Sequence, residues 1–196
     1  MGLFGRRKTA SIPAPMGASA VLVDDPEIPR YPPFLRGLPV AAPARIVATQ
    51  ANLIAQLQDG LAFTDARFTV LVRPVVERYA AFVHLLPASE SHHHRGAGGL
   101  FRHGLEVAFH AAQASQGRIF ALDRGPAERR ELEPRWRLAA GLAGLCHDVG
   151  KPVSDLSVSD RAGLTIWRPL LGSLSDWAAA NRVEHYFIRW RERRHA

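Results

Sequence analysis

Residues 141–155 read GLAGLCHDVGKPVSD, and this stretch decides the fold. Trp136, Leu138, Ala139, Leu142 and Leu145 recur at helical spacing, so an Ala/Gly-rich buried helix runs into His147-Asp148-Val149-Gly150 and stops there. An adjacent His-Asp pair at a helix end sets an imidazole and a carboxylate side by side where the backbone is leaving the helix. Both can then face one metal ion. Gly150 permits a tight turn, and Lys151 is a cation placed to meet a phosphate. The bland alternative is a polar pair that merely ends a helix.

Upstream, residues 98–112 read GGLFRHGLEVAFHAA. His103 lies near the start of a helix over Leu100–Ser115 that Leu100, Leu105, Val107 and Ala108 anchor and Gly117 closes. A fixed His on one helix and a His-Asp pair on another pre-organise a divalent site. Between this helix and an earlier apolar stripe (Phe68, Leu71, Val72, Val75, Val76, Tyr79, Phe82, Val83, Leu86) lies the loop PASESHHHRGAGG, residues 87–99. Gly96, Gly98 and Gly99 let that loop fold back toward His103, which brings His93 and His94 forward as further ligands. A solvated His run is the alternative. Thr64 and Asp65 cap the stripe's helix, and Pro74 bends or divides it. A first helix spans about 44–58. Arg124 to Pro134 reads as a charged, exposed connection, and about 173–180 and 182–192 read as helical, with Leu164 to Trp167 a short extended piece.

Composition sets the outer bounds. The 196 residues are 47% hydrophobic and 22% charged, which is globular and excludes collagen-like, disordered and disulfide-scaffold classes. One Cys, Cys146, leaves His and carboxylates as the metal ligands and fits a reducing cytoplasm. Neither a signal-peptide core nor a membrane span is present in the sequence, so membrane insertion is not expected. Eight of the 14 prolines fall in residues 1–44, so residues 1–43 read as an extended Pro-rich lead-in and 44–196 as one domain. Six of the seven net positive charges lie in two end segments, around Arg6, Arg7 and Lys8 and around Arg189, Arg191, Arg193 and Arg194. A basic groove is therefore not readable from composition, although basic ends hold phosphates at low salt.

With these residues in place, the chain resembles the HD metal-dependent phosphohydrolase superfamily, an all-helical fold with the pattern H…HD…D. The resemblance implies that His103, His147 and Asp148 bind a divalent metal (Mn²⁺, Mg²⁺ or Fe²⁺) and that Lys151 lies near the substrate phosphate. A closer likeness runs through ERYAAFVHLLPASESHHHRGAGGLFRHGLEVA (77–108), LAGLCHDVGKPVSDLSV (142–158), IWRPL (166–170) and RWRERRHA (189–196). These blocks look like the amino-terminal HD-type domain of MobH-class conjugative relaxases, found on integrative conjugative elements and related plasmids. That likeness implies nicking of one strand of origin DNA, with other conjugation proteins as partners.

A strand-nicking enzyme of this kind uses a tyrosine or a metal-activated water as the attacking group. Tyr79 is the best-placed tyrosine, although it also fits the apolar stripe. The expectation is an all-α, HD-domain-like bundle truncated at its C-terminus, because relatives continue past the last block. Asp155, Asp160 and Asp176 are the candidates for the later Asp, and none is well spaced. A nucleotide phosphohydrolase and a non-catalytic DNA- or protein-binding remnant are the alternatives. An open channel would favour DNA, and a closed pocket nucleotides.

Overall fold

The computed structural model describes residues 27–191. The basic residues Arg6, Arg7, Lys8, Arg193 and Arg194 lie outside these described residues. The fold is mainly helical. It comprises β1 (Leu38–Pro39), α1 (Pro43–Ala48), α2 (Ala51–Leu61), α3 (Asp65–Leu71), α4 (Arg73–Val83), α5 (Gly99–Gln116), α6 (Pro126–Cys146), α7 (Lys151–Ser154), β2 (Leu156–Ser159), α8 (Leu174–Ala180) and β3 (His185–Trp190).

Of the two outcomes open at Pro74, a bend or a division, the stripe from Thr64 shows division into two helices. The Thr64 hydroxyl accepts from the Arg67 N–H and starts α3, and Pro74 opens α4 after a break at Val72. A proline in the first helical turn costs no hydrogen bond, whereas further in it would. The region read as one helix over 44–58 likewise divides at Thr49–Gln50 and runs on through Gly60 to Leu61. Buried faces of α2 (Leu53, Ile54, Leu57), α4 (Val76, Tyr79, Ala80, Val83) and α5 (Leu100, Phe101, Leu105, Ala108) meet in one core.

Two stretches depart from the sequence reading. Arg124–Pro134 is solvent-facing as expected, but from Pro126 it forms the first half of α6. Arg124–Glu128 and Arg137–Glu133 pairs one turn apart support it. Pro134 is tolerated because the carbonyl it cannot bond belongs to exposed Arg130, a position at which solvent can take the place of the lost donor. Of the stretch 182–192, residues 182–191 are not helical, and Glu192 lies outside the described residues. His185–Trp190 is the central strand of an antiparallel sheet in the order β1-β3-β2, pairing Leu38 with Tyr186 and Val158 with Ile188. An aromatic-rich HYFIRW run suits a pleated surface. The fold is therefore not purely α, and part of the Pro-rich lead-in supplies a strand.

Below this sheet, His84 is fully buried and ties three segments together. Its Nδ1 lies 3.0 Å from the Tyr186 hydroxyl and its Nε2 lies 2.9 Å from the Ala41 carbonyl. The Leu85 N–H donates to the same Tyr186 hydroxyl at 3.1 Å. Burial pushes the His84 pKa down to about 4, against the upward pull of the Ala41 hydrogen bond. The imidazole is a neutral structural pin.

Candidate metal centre

Helices α5 and α6 approach closely because glycines face each other's backbone. A side chain at Gly144 would place its Cβ 2.9 Å from the Val107 carbonyl and 3.0 Å from the Ala108 backbone. One at Gly104 would lie 2.9 Å from the Leu145 carbonyl. His103 precedes Gly104, and His147 follows Gly144 by three residues, so the same close approach brings the two imidazoles together. Their Nε2 atoms are 3.1 Å apart. Asp148 Oδ2 completes a triangle, 3.4 Å from His103 Nε2 and 3.3 Å from His147 Nε2.

These edges fit a cation. Ligand atoms about 2.1 Å from an ion and roughly 90–110° apart are separated by about 3.0–3.4 Å. The remaining ring nitrogen of His147 is already engaged, since Nδ1 donates to the Gly144 carbonyl at 2.7 Å. That bond fixes the tautomer and leaves the Nε2 lone pair facing the triangle. Burial, then the neighbouring His94 and His147, and to a smaller extent Lys151, hold the His103 pKa below its ordinary value against the pull of Asp148. A neutral imidazole is the form that ligates. For Asp148, burial works upward but is outweighed by the Lys151 ammonium, with His147 and His103 adding to it, so the carboxyl is held below its usual range. Lys151 Nζ lies 2.7 Å from Asp148 Oδ2 and donates to the Ala88 carbonyl at 3.0 Å, which ties the turn after α6 to the loop after α4.

The His loop closes over α5 by backbone geometry. His94 takes a left-handed φ of 60°, its carbonyl accepts from the Ala88 N–H at 2.9 Å, and a Cβ at Gly99 would collide with that carbonyl. The His94 ring is thereby set 5.1 Å from the His103 ring. Its Nε2 lies 3.1 Å from Glu106 Oε2, while Glu106 Oε1 accepts from Arg102 Nε at 2.7 Å. Burial would raise the Glu106 pKa, but His94 and Arg102 together hold it low, so it stands as a carboxylate.

His94, His103 and Glu106 form a second group with metal-ligand spacing, sharing His103 with the first. Arg102 at the carboxylate disfavours a cation there. Glu106 is better suited to anchor His94, accepting a hydrogen bond from its Nε2–H.

The structure thus brings together His94, His103, His147, Asp148 and Lys151. His93 stands apart, exposed on the loop with its carbonyl held by the Ser89 hydroxyl. Tyr79 is 4% exposed, packed on Phe101 and beneath Gly104, and its hydroxyl has no hydrogen-bond partner. Burial, then Cys146 and Asp148, raise its pKa well above the ordinary tyrosine value. The downstream carboxylates serve local structure. Asp160 accepts from the Leu164 and Thr165 N–H groups, Asp176 pairs with the Ser173 hydroxyl at the start of α8, and Asp155 accepts from the Ser154 hydroxyl. Glu106, three residues after His103 and so on the same helical face, escapes the sequence reading. Its signal was that i, i+3 spacing.

A family model described as "Putative helicase" (TraI_2) matches residues 37–196. The match covers well over half of the chain, and the chain belongs to this conjugative-transfer family. No curated protein matches it. Among the described residues, no helix is long and apolar enough to cross a membrane.

Proposed function

We propose that this member of the TraI_2 family processes single-stranded origin DNA at a divalent-metal centre, as the HD-type domain of a MobH-class relaxase of an integrative conjugative element. The observation that carries the reading is the triangle of His103, His147 and Asp148, with edges of 3.1–3.4 Å. Residues 44–196 form the body of the relaxase domain, to whose sheet the lead-in of residues 1–43 adds β1, and the protein works in the cytoplasm, where its DNA is. The word helicase in the family description has no matching phosphate loop here: the sequence's one Gly-Lys pair, Gly150-Lys151, is followed by Pro152 rather than Ser or Thr.

His103, His147 and Asp148 hold the ion, with His94 beside them. A divalent ion supplies Lewis acidity toward a phosphoryl oxygen and lowers the pKa of water. The chain's own groups do the rest. Asp148 lends the negative charge that keeps a cation in place, and the Gly144 carbonyl keeps His147 in the ligating tautomer. Lys151 already bridges Asp148 and Ala88, and a phosphate entering beside Asp148 meets its ammonium. The side chains of His103 and His147 remain 27% and 35% exposed, so a polymer reaches the centre without entering a closed pocket, which favours DNA over a free nucleotide.

Tyr79 is the candidate nucleophile, but its buried, unpaired hydroxyl and raised pKa argue against a ready phenolate. Attack from Tyr79 requires substrate to displace the packing above it. Incubation of the protein with an origin oligonucleotide and Mn²⁺ tests the proposal. Metal-dependent strand cleavage that His147→Ala abolishes is expected, and cleavage indifferent to both chelator and His147→Ala would overturn it.

A further inference from the structure

The Pro-rich lead-in does more than add a strand. Its Arg30 and Tyr31 lie against the His loop and form one wall of a cleft of about 400 Å³, whose lining also includes His94, Arg95 and Arg102. No Asp or Glu lines it. A side chain at Gly96 would collide with the Arg30 carbonyl, so this glycine is what lets loop and lead-in meet. The Arg95 guanidinium carbon sits 5.9 Å from the centre of the Tyr31 ring, within cation–π reach. Tyr31 is nonetheless 64% exposed, so most of its ring is open to solvent. Arg102 lines the cleft while its Nε holds Glu106, which in turn holds His94. The cleft and the metal centre therefore share His94 as a common edge.

An exposed aromatic face set among guanidinium groups is the chemistry that binds an unpaired nucleotide, with base on ring and phosphate on Arg. We propose that this cleft seats one unpaired nucleotide of a DNA strand, its base against Tyr31 and its phosphate against Arg95 and Arg102, next to the phosphodiester presented at the metal centre. The identity of the strand as DNA rests on the function proposed above. Duplex DNA is excluded from the cleft, since its bases are stacked on each other and present no free face.

Fluorescence anisotropy of a labelled 15-nucleotide oligothymidylate, titrated with the full chain in EDTA, tests this seat without involving the metal. Tyr31→Ala should weaken binding about tenfold, the loss of one base–aromatic stack, while Tyr31→Phe retains it. Arg95→Ala should weaken binding and reduce the slope of log affinity against log salt by about 0.7, the loss of one phosphate contact. All three variants should bind Mn²⁺ as the parent chain does, and Tyr31→Ala should leave binding to a blunt 15-base-pair duplex unchanged. The basic ends of the chain act equally in every variant. Wild-type affinity for the oligothymidylate in Tyr31→Ala, or an equal loss on the duplex, would overturn the proposal. Failure of the metal reading would appear elsewhere, as Mn²⁺ binding that survives His147→Ala, and would leave the Tyr31 result standing.

Discussion

Gly144→Ala is the substitution through which packing and site can be tested together. The added methyl would sit 2.9 Å from the Val107 carbonyl oxygen and 3.0 Å from both the Ala108 nitrogen and its Cα. All three are backbone atoms of α5, so no side chain can rotate away. Restoring ordinary contact requires α6 to retreat by roughly 0.5 Å. Overpacking of this kind costs about 1–3 kcal/mol, offset by about 1 kcal/mol from the better helix propensity of Ala. A net loss near 1 kcal/mol lowers Tm by a few degrees.

The larger effect falls on the site, because His147 lies one turn on and bonds the carbonyl of this same residue. Widening the 3.1 Å gap between His103 and His147 by that amount should weaken Mn²⁺ binding about tenfold or more. Calorimetric titration with Mn²⁺ and a thermal melt read the two effects. Gly125→Ala is the control, since a Cβ there meets nothing within 4 Å. If Gly144→Ala matches the parent in both Mn²⁺ affinity and Tm, the close approach of the helices does not set the centre.

Glu106→Gln should weaken Mn²⁺ binding about 10- to 100-fold, as loss of a carboxylate behind a ligating imidazole does; circular dichroism checks that the fold is kept, and an unchanged affinity would refute the anchoring role. Tyr79→Phe should leave stability equal or slightly higher by urea unfolding, because it removes a buried hydroxyl that has no partner, and any covalent protein–DNA adduct should vanish with it; an adduct that persists would acquit Tyr79 as nucleophile. His84 is neutral in the fold with its pKa near 4 and protonates at about 6.5 when unfolded. Between those values the unfolded chain binds the extra proton, so stability is full above about pH 6.5 and falls with pH, by at most about 1.4 kcal/mol per unit. Urea unfolding at pH 7 and pH 5 should show that loss in the parent and a smaller one in His84→Gln.

The sequence announces the ends of helices better than what happens beyond them. His147-Asp148 and His103 are legible because an apolar helical period carries each to a fixed place at the edge of the core. The choice between His93 and His94 is not, because it turns on a single left-handed residue and on Gly99 lying against the His94 carbonyl. Glu106 reads as one more polar residue on a half-exposed face until His94 is seen folded back onto it. The strand His185–Trp190 also escapes, since six residues mixing Arg with aromatics satisfy either period. Pairing with Leu38–Pro39 on one side and Leu156–Ser159 on the other makes it a strand. Pro134 misleads in the opposite sense: a helix interior tolerates it when the orphaned carbonyl faces water.

The most direct test of the central claim is Mn²⁺ titration of the parent chain beside His103→Ala, His147→Ala and Asp148→Asn at neutral pH. If the 3.1–3.4 Å triangle is a coordination face, each substitution should weaken binding by at least about 100-fold, more than loss of an outer partner does. Three variants that bind Mn²⁺ as tightly as the parent would contradict it.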